Sequence, residues 1–319
     1  MGEREKRFIS ETIEKIREQV DGHPKIGPKV VVAASGGVDS SVTLALVHRA
    51  VNARNHRAHA IFVDTGLMRE GESKEVLDIL HRVFIGFPVM RVNAAHIFLG
   101  ALSGIIDPEE KRMRIGETYI RLFEKHAPDT EFLAQGTIRA DVVEAERGIK
   151  AQHNTGGMPK DHRFKLIEPL AGLYKSEVRL VAKELGLPDE IVNRRPFPGP
   201  GLATRIIGEV TWERLEILRR ADTILRETIA EYGIPVSQEH VVLLPDVRTT
   251  GLSGDGNRTY GMLAAVRLVQ SEDFMLATAS WPSSTFLHRV AERITNGISC
   301  ITRVVYDLTD KPPATVEWE

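Results

Sequence analysis

The sequence predicts an α/β protein: a parallel sheet flanked by helices, followed by a small α+β domain. Three observations carry the prediction. Over roughly the first 190 residues, short apolar runs rich in β-branched residues alternate with stretches of helical periodicity, the pattern of βαβ units. The predicted strands end in small or polar residues, as at 35–37, 64–66 and 135–137. The Pro- and Gly-rich connector at 193–202 then separates this region from one with a different order of strands and helices.

A chain of 319 residues suits two domains, read here as 1–195 and 196–319. With 42% hydrophobic and 27% charged residues it has ample material for a core. The net charge of −2 argues against a general nucleic-acid binder, so any phosphate binding must be local. No apolar stretch approaches the ~18 residues of a membrane span. The single cysteine, Cys300, excludes an intrachain disulfide and any Cys-x-x-Cys site, and it reads as a small core residue. A charged N-terminus with no apolar run behind it predicts no secretory signal, and with the cysteine usage this points to the cytoplasm.

The elements follow in order. Phe8, Ile9, Ile13, Ile16 and Val20 recur at helical spacing and predict a helix over 3–20. A linker containing Gly22, Pro24, Gly27 and Pro28 leads to a buried strand at 30–34 and a helix from 38 to about 54. Strands are predicted at 58–63, 88–92 and 131–134, with helices at 72–83 and 107–126. From 147 to 165 the chain is Gly-rich, irregular and basic, with Lys150, Lys160 and Arg163, which suits a lid facing phosphate. A helix at 175–185 is closed by Gly186. The second domain reads as a helix at 211–231, strands at 236–244 and 261–268, a helix at 284–295 and a last strand at 301–307.

The stretch at 30–41 carries the chemistry. An apolar strand breaks at Gly36-Gly37, and Asp39-Ser40-Ser41 open a helix. Such a turn aims backbone N–H groups and the positive end of the helix dipole at one spot, which suits phosphate. Ser35, Ser40 and Ser41 add hydroxyl donors, and Asp39 suits a hard cation such as Mg²⁺. The Lys that a Walker A loop requires is missing. Ser35-Gly36-Gly37-Val38-Asp39-Ser40 instead resembles the pyrophosphate loop of the N-type ATP pyrophosphatases, with their adenine-nucleotide alpha-hydrolase-like parallel-sheet domain. That loop is shared by NAD synthetases and tRNA thiolases and leaves the acceptor open.

The runs Leu133-Ala134-Gln135-Gly136-Thr137, Arg195-Pro196-Phe197-Pro198-Gly199-Pro200-Gly201-Leu202, Arg303-Val304-Val305-Tyr306-Asp307 and Lys311-Pro312-Pro313-Ala314-Thr315-Val316-Glu317-Trp318-Glu319 resemble the GMP synthetase family, in its order and close to its spacing. The resemblance implies a ligase forming a carbon–nitrogen bond, in which ATP adenylates O2 of xanthosine 5′-monophosphate (XMP) and ammonia then displaces AMP at C2. It implies that residues 35–41 (Ser35, Gly36, Gly37, Val38, Asp39, Ser40, Ser41) with Val63, Gly136 and Thr137 bind ATP. Asp39 would hold Mg²⁺, and Asp39, Ser40, Lys160 and Lys175 would serve the chemistry. Arg112, Gln238, Asp255, Lys311 and Glu317 would bind XMP, across domains or subunits. The second domain would be a dimerisation domain and the chain a homodimer. Since Cys300 lacks a glycine elbow, ammonia would come from a separate glutamine amidotransferase subunit. Two departures from the family pattern, Gln152-His153 and Arg194-Arg195, argue against a proton-transfer role for His153 or position 195. His240 reads as a packing or surface residue.

Overall fold

A computed structural model describes residues 2–21, 28–52, 57–146, 159, 161–195, 197–252, 254–271 and 276–319. The chain forms two compact units.

The first unit comprises residues 1–66, 71–98 and 112–199. Helix α1 (Glu3–Asp21) precedes strand β1 (Pro28–Ala33), α2 (Val38–Asn52), β2 (Arg57–Asp64), α3 (Glu72–Val83) and β3 (Val89–Asn93). Then come α4 (Ala95–Leu102) and α5 (Pro108–His126), of which residues 99–102 and 108–111 group with the second unit, and β4 (Phe132–Ala134), α6 (Arg139–Glu146), β5 (Lys165–Ile167), α7 (Lys175–Glu184) and α8 (Asp189–Val192). The five strands form one sheet in the order β3-β2-β1-β4-β5, all parallel. Val30, Val31 and Val32 are fully buried, as a strand covered on both faces requires. The chain order reverses beside β1, because β2 lies on one side of it and β4 on the other. That reversal opens a crevice at the carboxyl ends of β1 and β4, where such sheets bind ligands.

The second unit comprises residues 67–70, 99–111 and 200–319. After a 3₁₀ turn (Gly201–Arg205) it contains α9 (Trp212–Tyr232), β6 (Gln238–Leu252), β7 (Arg258–Gln270), β8 (Thr278–Ala279), α10 (Ser284–Gly297) and β9 (Ile301–Tyr306). The β6–β7 hairpin is antiparallel, and β9 joins β7 in parallel. Helices α9 and α10 start at Thr211 and Ser283, whose hydroxyls accept from the N–H groups of Arg214 and Phe286, each at 3.2 Å.

Several sequence expectations need correction. The domains are not two continuous stretches: 67–70 and 99–111 belong to the second unit, where Leu67 O accepts from Leu202 N–H at 2.7 Å and Arg69 pairs with Asp222 at 3.1 Å. Short α4, α6 and β5 escaped the periodicity argument because none exceeds eight residues. Cys300 is half-buried, not a core residue, and burial pushes its thiol up, away from a nucleophilic thiolate. The lid, with Lys150, His153 and Lys160, lies outside the described residues apart from its last positions.

Candidate active site

The glycine loop joins β1 to α2. Gly36 has φ of 77°, and a Cβ there would stand 2.5 Å from a Val76 methyl, so both backbone and space call for glycine. The serines brace the loop from within. Ser35 Oγ donates to Ser40 Oγ at 3.0 Å, and Ser40 Oγ donates to Gly37 O at 3.0 Å. Gly37 N–H donates to Ser35 Oγ at 3.4 Å, and Ser41 N–H to Gly37 O at 3.0 Å, closing the first helical turn. Ser40 and Ser41 are buried, and the Ser41 hydroxyl has no partner among the described residues. A helix leaves its first N–H groups without intrahelical partners, and here they open at the carboxyl end of the central strand.

Gly136, just past β4, lies against this helix start. A Cβ on it would stand 2.8 Å from the Asp39 carbonyl carbon and 2.8 Å from Ser40 N. No flexible side chain gives way there, so Gly136 sets the approach of β4 to the loop. Thr137 is buried and donates to Glu168 Oε1 at 2.5 Å. Gln135, which sequence reasoning did not select, is buried with its amide nitrogen unpartnered among the described residues. Lys175, the first residue of α7, brings Nζ to 2.5 Å from Asp39 Oδ2, while Asp39 Oδ1 is buried without a partner among the described residues. Long-range folding thus joins the β1, β4 and α7 ends at one point.

At the end of β2, Val63 is buried in the sheet and offers only backbone to a ligand. Asp64 is buttressed by Ser73 at 2.6 Å, Arg91 at 2.7 Å and the Gly66 N–H at 3.3 Å. Burial pushes its carboxyl up, but these three hydrogen bonds outweigh that and hold it below the usual range.

Mg²⁺ keeps several waters and needs only one or two carboxylates besides substrate phosphates. The described residues hold no cluster of three His, Cys, Asp or Glu, so they offer no all-protein cage. The unpartnered Asp39 Oδ1 fits the lesser requirement. A cavity of about 320 Å³ lies instead at the amino ends of β2 and β3, lined by His59, Val89 and His126 among others. It is at the wrong end of a parallel sheet for this chemistry.

The second unit carries a buried charge cluster on its C-terminal segment. Arg205, with a fully buried side chain, grips Glu317 with Nε to Oε2 at 3.0 Å and Nη2 to Oε1 at 2.9 Å. His240 Nδ1 lies 3.0 Å from Oε2, and Gln238 Nε2 donates to Oε1 at 3.3 Å. Burial raises the Glu317 carboxyl, but Arg205 and His240 hold it far below the usual range. His240 is driven down by burial and stays neutral; because a carboxylate only accepts, Nδ1 carries the proton. Of the two readings of His240, packing or surface, burial excludes the surface one, and the side chain is hydrogen-bonded as well as packed. Arg267 is likewise buried and holds Asp307 Oδ2 at 2.7 Å, with the carbonyls of Thr309, Thr315 and Val316. Lys311 pairs by backbone with Ala277.

Gln238 and Glu317 therefore meet, but Asp255 does not join them. Gln238 pairs with Val269 at one end of the hairpin, whereas Leu252 pairs with Arg258 beside Asp255 at the other. At ~3.3 Å per residue the two ends are roughly 40 Å apart along the strand. Asp255 is engaged by Asn257 within the turn, at 2.7 Å. Arg112, on α5, belongs to the first unit.

A switch-point crevice, a self-braced glycine loop at a helix start, and a lysine–aspartate pair beside it define an α/β protein whose loop has the chemistry that suits phosphate. Comparisons with known proteins narrow the class. Residues 227–318 match the family model described as the GMP synthase C-terminal domain. The chain is 48% identical over 315 residues to one subunit of the GMP synthase [glutamine-hydrolyzing] of Pyrococcus furiosus, covering 98% of this chain and 97% of that one. It is 46% identical over 322 residues to GMP synthase [glutamine-hydrolyzing] of Geobacillus kaustophilus, covering 98% of this chain and 61% of that protein. Among solved structures, an NH3-dependent NAD synthetase from Campylobacter jejuni aligns over 72% of this chain and 88% of that one, with TM-score 0.47 and 14% identity. The chain belongs to the GMP synthase family. It spans about three fifths of the length of several curated relatives it matches, the Geobacillus protein among them.

Proposed function

We propose that the chain converts XMP to GMP with ATP and ammonia, as the synthetase subunit of a two-subunit enzyme. The observation that carries the reading is the junction of Gly136, the loop of residues 35–41 and the Asp39–Lys175 pair at the carboxyl end of the sheet. In this reading the loop N–H groups and the Ser41 hydroxyl bind the β and γ phosphates of ATP, with Val63, Gly136 and Thr137 beside the nucleotide. Ser40 holds the loop in shape. Asp39 would hold Mg²⁺, which supplies positive charge against the pyrophosphate as it leaves. Lys175 neutralises Asp39 without nucleotide and turns its ammonium to the phosphates when ATP is bound. Lys160, outside the described residues, is read as a further cation for these phosphates. Positioning and charge neutralisation are the main contributions a protein makes at a phosphoryl centre.

Arg112, Lys311, Gln238 and Glu317 are the XMP residues in this reading. Asp255 serves only from another copy, given its place at the far hairpin tip. The distal hairpin exposes Val247, Leu252 and Tyr260, apolar surface that a second copy of the chain would cover, which supports a homodimer. Ammonia comes from a separate glutamine amidotransferase subunit, in line with the Pyrococcus relative's being named as a subunit of its enzyme. No helix among the described residues is long and apolar enough to cross a membrane. The reading needs no nucleic acid and puts the reaction in the cytoplasm.

The test is direct. Purified chain with XMP, ATP, Mg²⁺ and an ammonium salt should yield GMP and pyrophosphate, and glutamine should not replace ammonium. Amidation of deamido-NAD in place of XMP would leave the loop reading standing and overturn the substrate.

A further inference from the structure

The Glu317 carboxylate is saturated from within its own unit. A carboxylate offers about four lone-pair positions. Arg205 takes two, one on each oxygen, Gln238 takes a second on Oε1 and His240 a second on Oε2. The four contacts are unequal. Arg205 is a bidentate, charge-assisted fork at 2.9 and 3.0 Å, and its side chain is fully buried. It is itself held: Nη1 reaches Glu239 O at 3.3 Å and Asp222 Oδ1 at 3.5 Å, and Asp222 is paired on its other oxygen with Arg69 at 3.1 Å. Gln238 is neutral and makes the longest contact, at 3.3 Å. A ligand hydroxyl or ring N–H that reaches Glu317 must replace one partner, and the exchange that costs least replaces Gln238.

We propose that Arg205 is the positioning residue of the substrate site: its fork fixes the Glu317 carboxylate, and the ligand displaces Gln238 while Arg205 and His240 stay in place. This rests on the reading of Glu317 as an XMP contact. It adds a residue that ends the 3₁₀ turn just past the connector, far in sequence from the tail it orients. The Gln238 amide, displaced from Glu317, becomes a donor for the same ligand, so the two contacts form together. The ligand class is a nucleotide whose base or ribose edge presents a donor to a fixed carboxylate.

The experiment is a double-mutant cycle on ammonium-dependent GMP formation by the full chain. Glu317→Gln should raise KM for XMP at least about 10-fold, the loss expected for a charged hydrogen bond. Arg205→Lys, which keeps the charge and breaks the fork, should raise KM for XMP by a similar factor and leave KM for ATP within about 2-fold. The double variant should be no worse than Glu317→Gln alone, because Arg205 acts through Glu317. If Glu317→Gln raises KM while Arg205→Lys leaves it unchanged, or the two effects multiply, the positioning role is lost. If Glu317→Gln leaves KM unchanged, the assignment of Glu317 to XMP fails instead. Should Arg205→Lys not fold, His240→Phe and His240→Gln carry the test. The first removes a donor to Oε2 and should raise KM for XMP several-fold; the second restores an N–H and should recover it. Equal KM values for these two and the wild type would overturn the fixed-carboxylate scheme.

Discussion

At the scale of single residues, two glycines set the loop of residues 35–41 for different reasons. Gly36 adopts a backbone conformation that costs other residues about 1–2 kcal/mol, and its missing Cβ makes room for Val76. Gly136 has no such conformation; it is required by distance alone. Gly136→Ala would press a methyl on the Asp39–Ser40 backbone and move the helix start relative to β4. We expect it to lower pyrophosphate release by roughly 100-fold, as a misplaced catalytic group does, while circular dichroism stays that of the wild type. Asp39→Asn should abolish the rise in melting temperature that ATP gives with Mg²⁺, followed by thermal shift with and without EDTA. A Tm rise equal to that of the wild type would remove Asp39 from the metal's ligands.

At the scale of elements, the C-terminal segment behaves as a strap and the β6–β7 hairpin as an arm. The strap is fastened by Arg267 and Arg205, each buried and each gripping several acceptors. Removing one partner of a buried charge pair leaves the other uncompensated, at a cost of about 3–5 kcal/mol. Arg267→Met should therefore raise amide hydrogen exchange over 308–319 well before the sheet exchanges; uniform exchange across the second unit would show that the strap does not move separately. Acid acts on the same element with a definite sign. Burial raises the Asp307 carboxyl, but the Thr309 contacts, Arg267 and Trp318 hold it low, and Glu317 is held low by Arg205 and His240. Carboxyls depressed in the folded state stabilise it above their unfolded values near ~4, and that contribution fades as pH falls through the folded ones. The Trp318 fluorescence, isolated by difference from Trp318→Phe, should stay flat from pH 8 to about 5 and shift only below about pH 4. The arm calls for a different test. Leu252→Glu with Tyr260→Asp should shift the full chain to a monomer by light scattering, if a second copy covers that surface.

At the scale of the whole molecule, His240 contributes a pH dependence of its own. Burial depresses it, so the folded state binds fewer protons than the unfolded state once pH drops below ~6.5. Global stability should fall from there toward acid by up to ~1.4 kcal/mol per pH unit, and His240→Gln should flatten that slope in urea titrations. A slope unchanged by the substitution would assign it to other groups.

Much of this protein is legible in its sequence. The Val-rich run before Gly36-Gly37 can only be a buried strand feeding a helix, since its side chains allow no solvated face. Helix 72–83 falls at its predicted bounds because its apolar period is regular and Gly71 precedes it. Short elements such as β5 carry too few residues for a period and depend on a neighbouring strand. Local pattern therefore determined the parallel sheet, the glycine turn into a helix and the family resemblance of the tail. Pairings between residues far apart in the chain were decided only by tertiary structure. Folding brought Lys175 to Asp39 and Gly136 to the helix start, and it separated Gln238 from Asp255 by the length of a hairpin. It also joined Arg205 and His240, to which the sequence assigned no functional role, with Glu317 in one buried clamp. The reason is physical: spacing along a chain reports which face a side chain takes, whereas the partner of a buried charge is set by which faces the fold brings together.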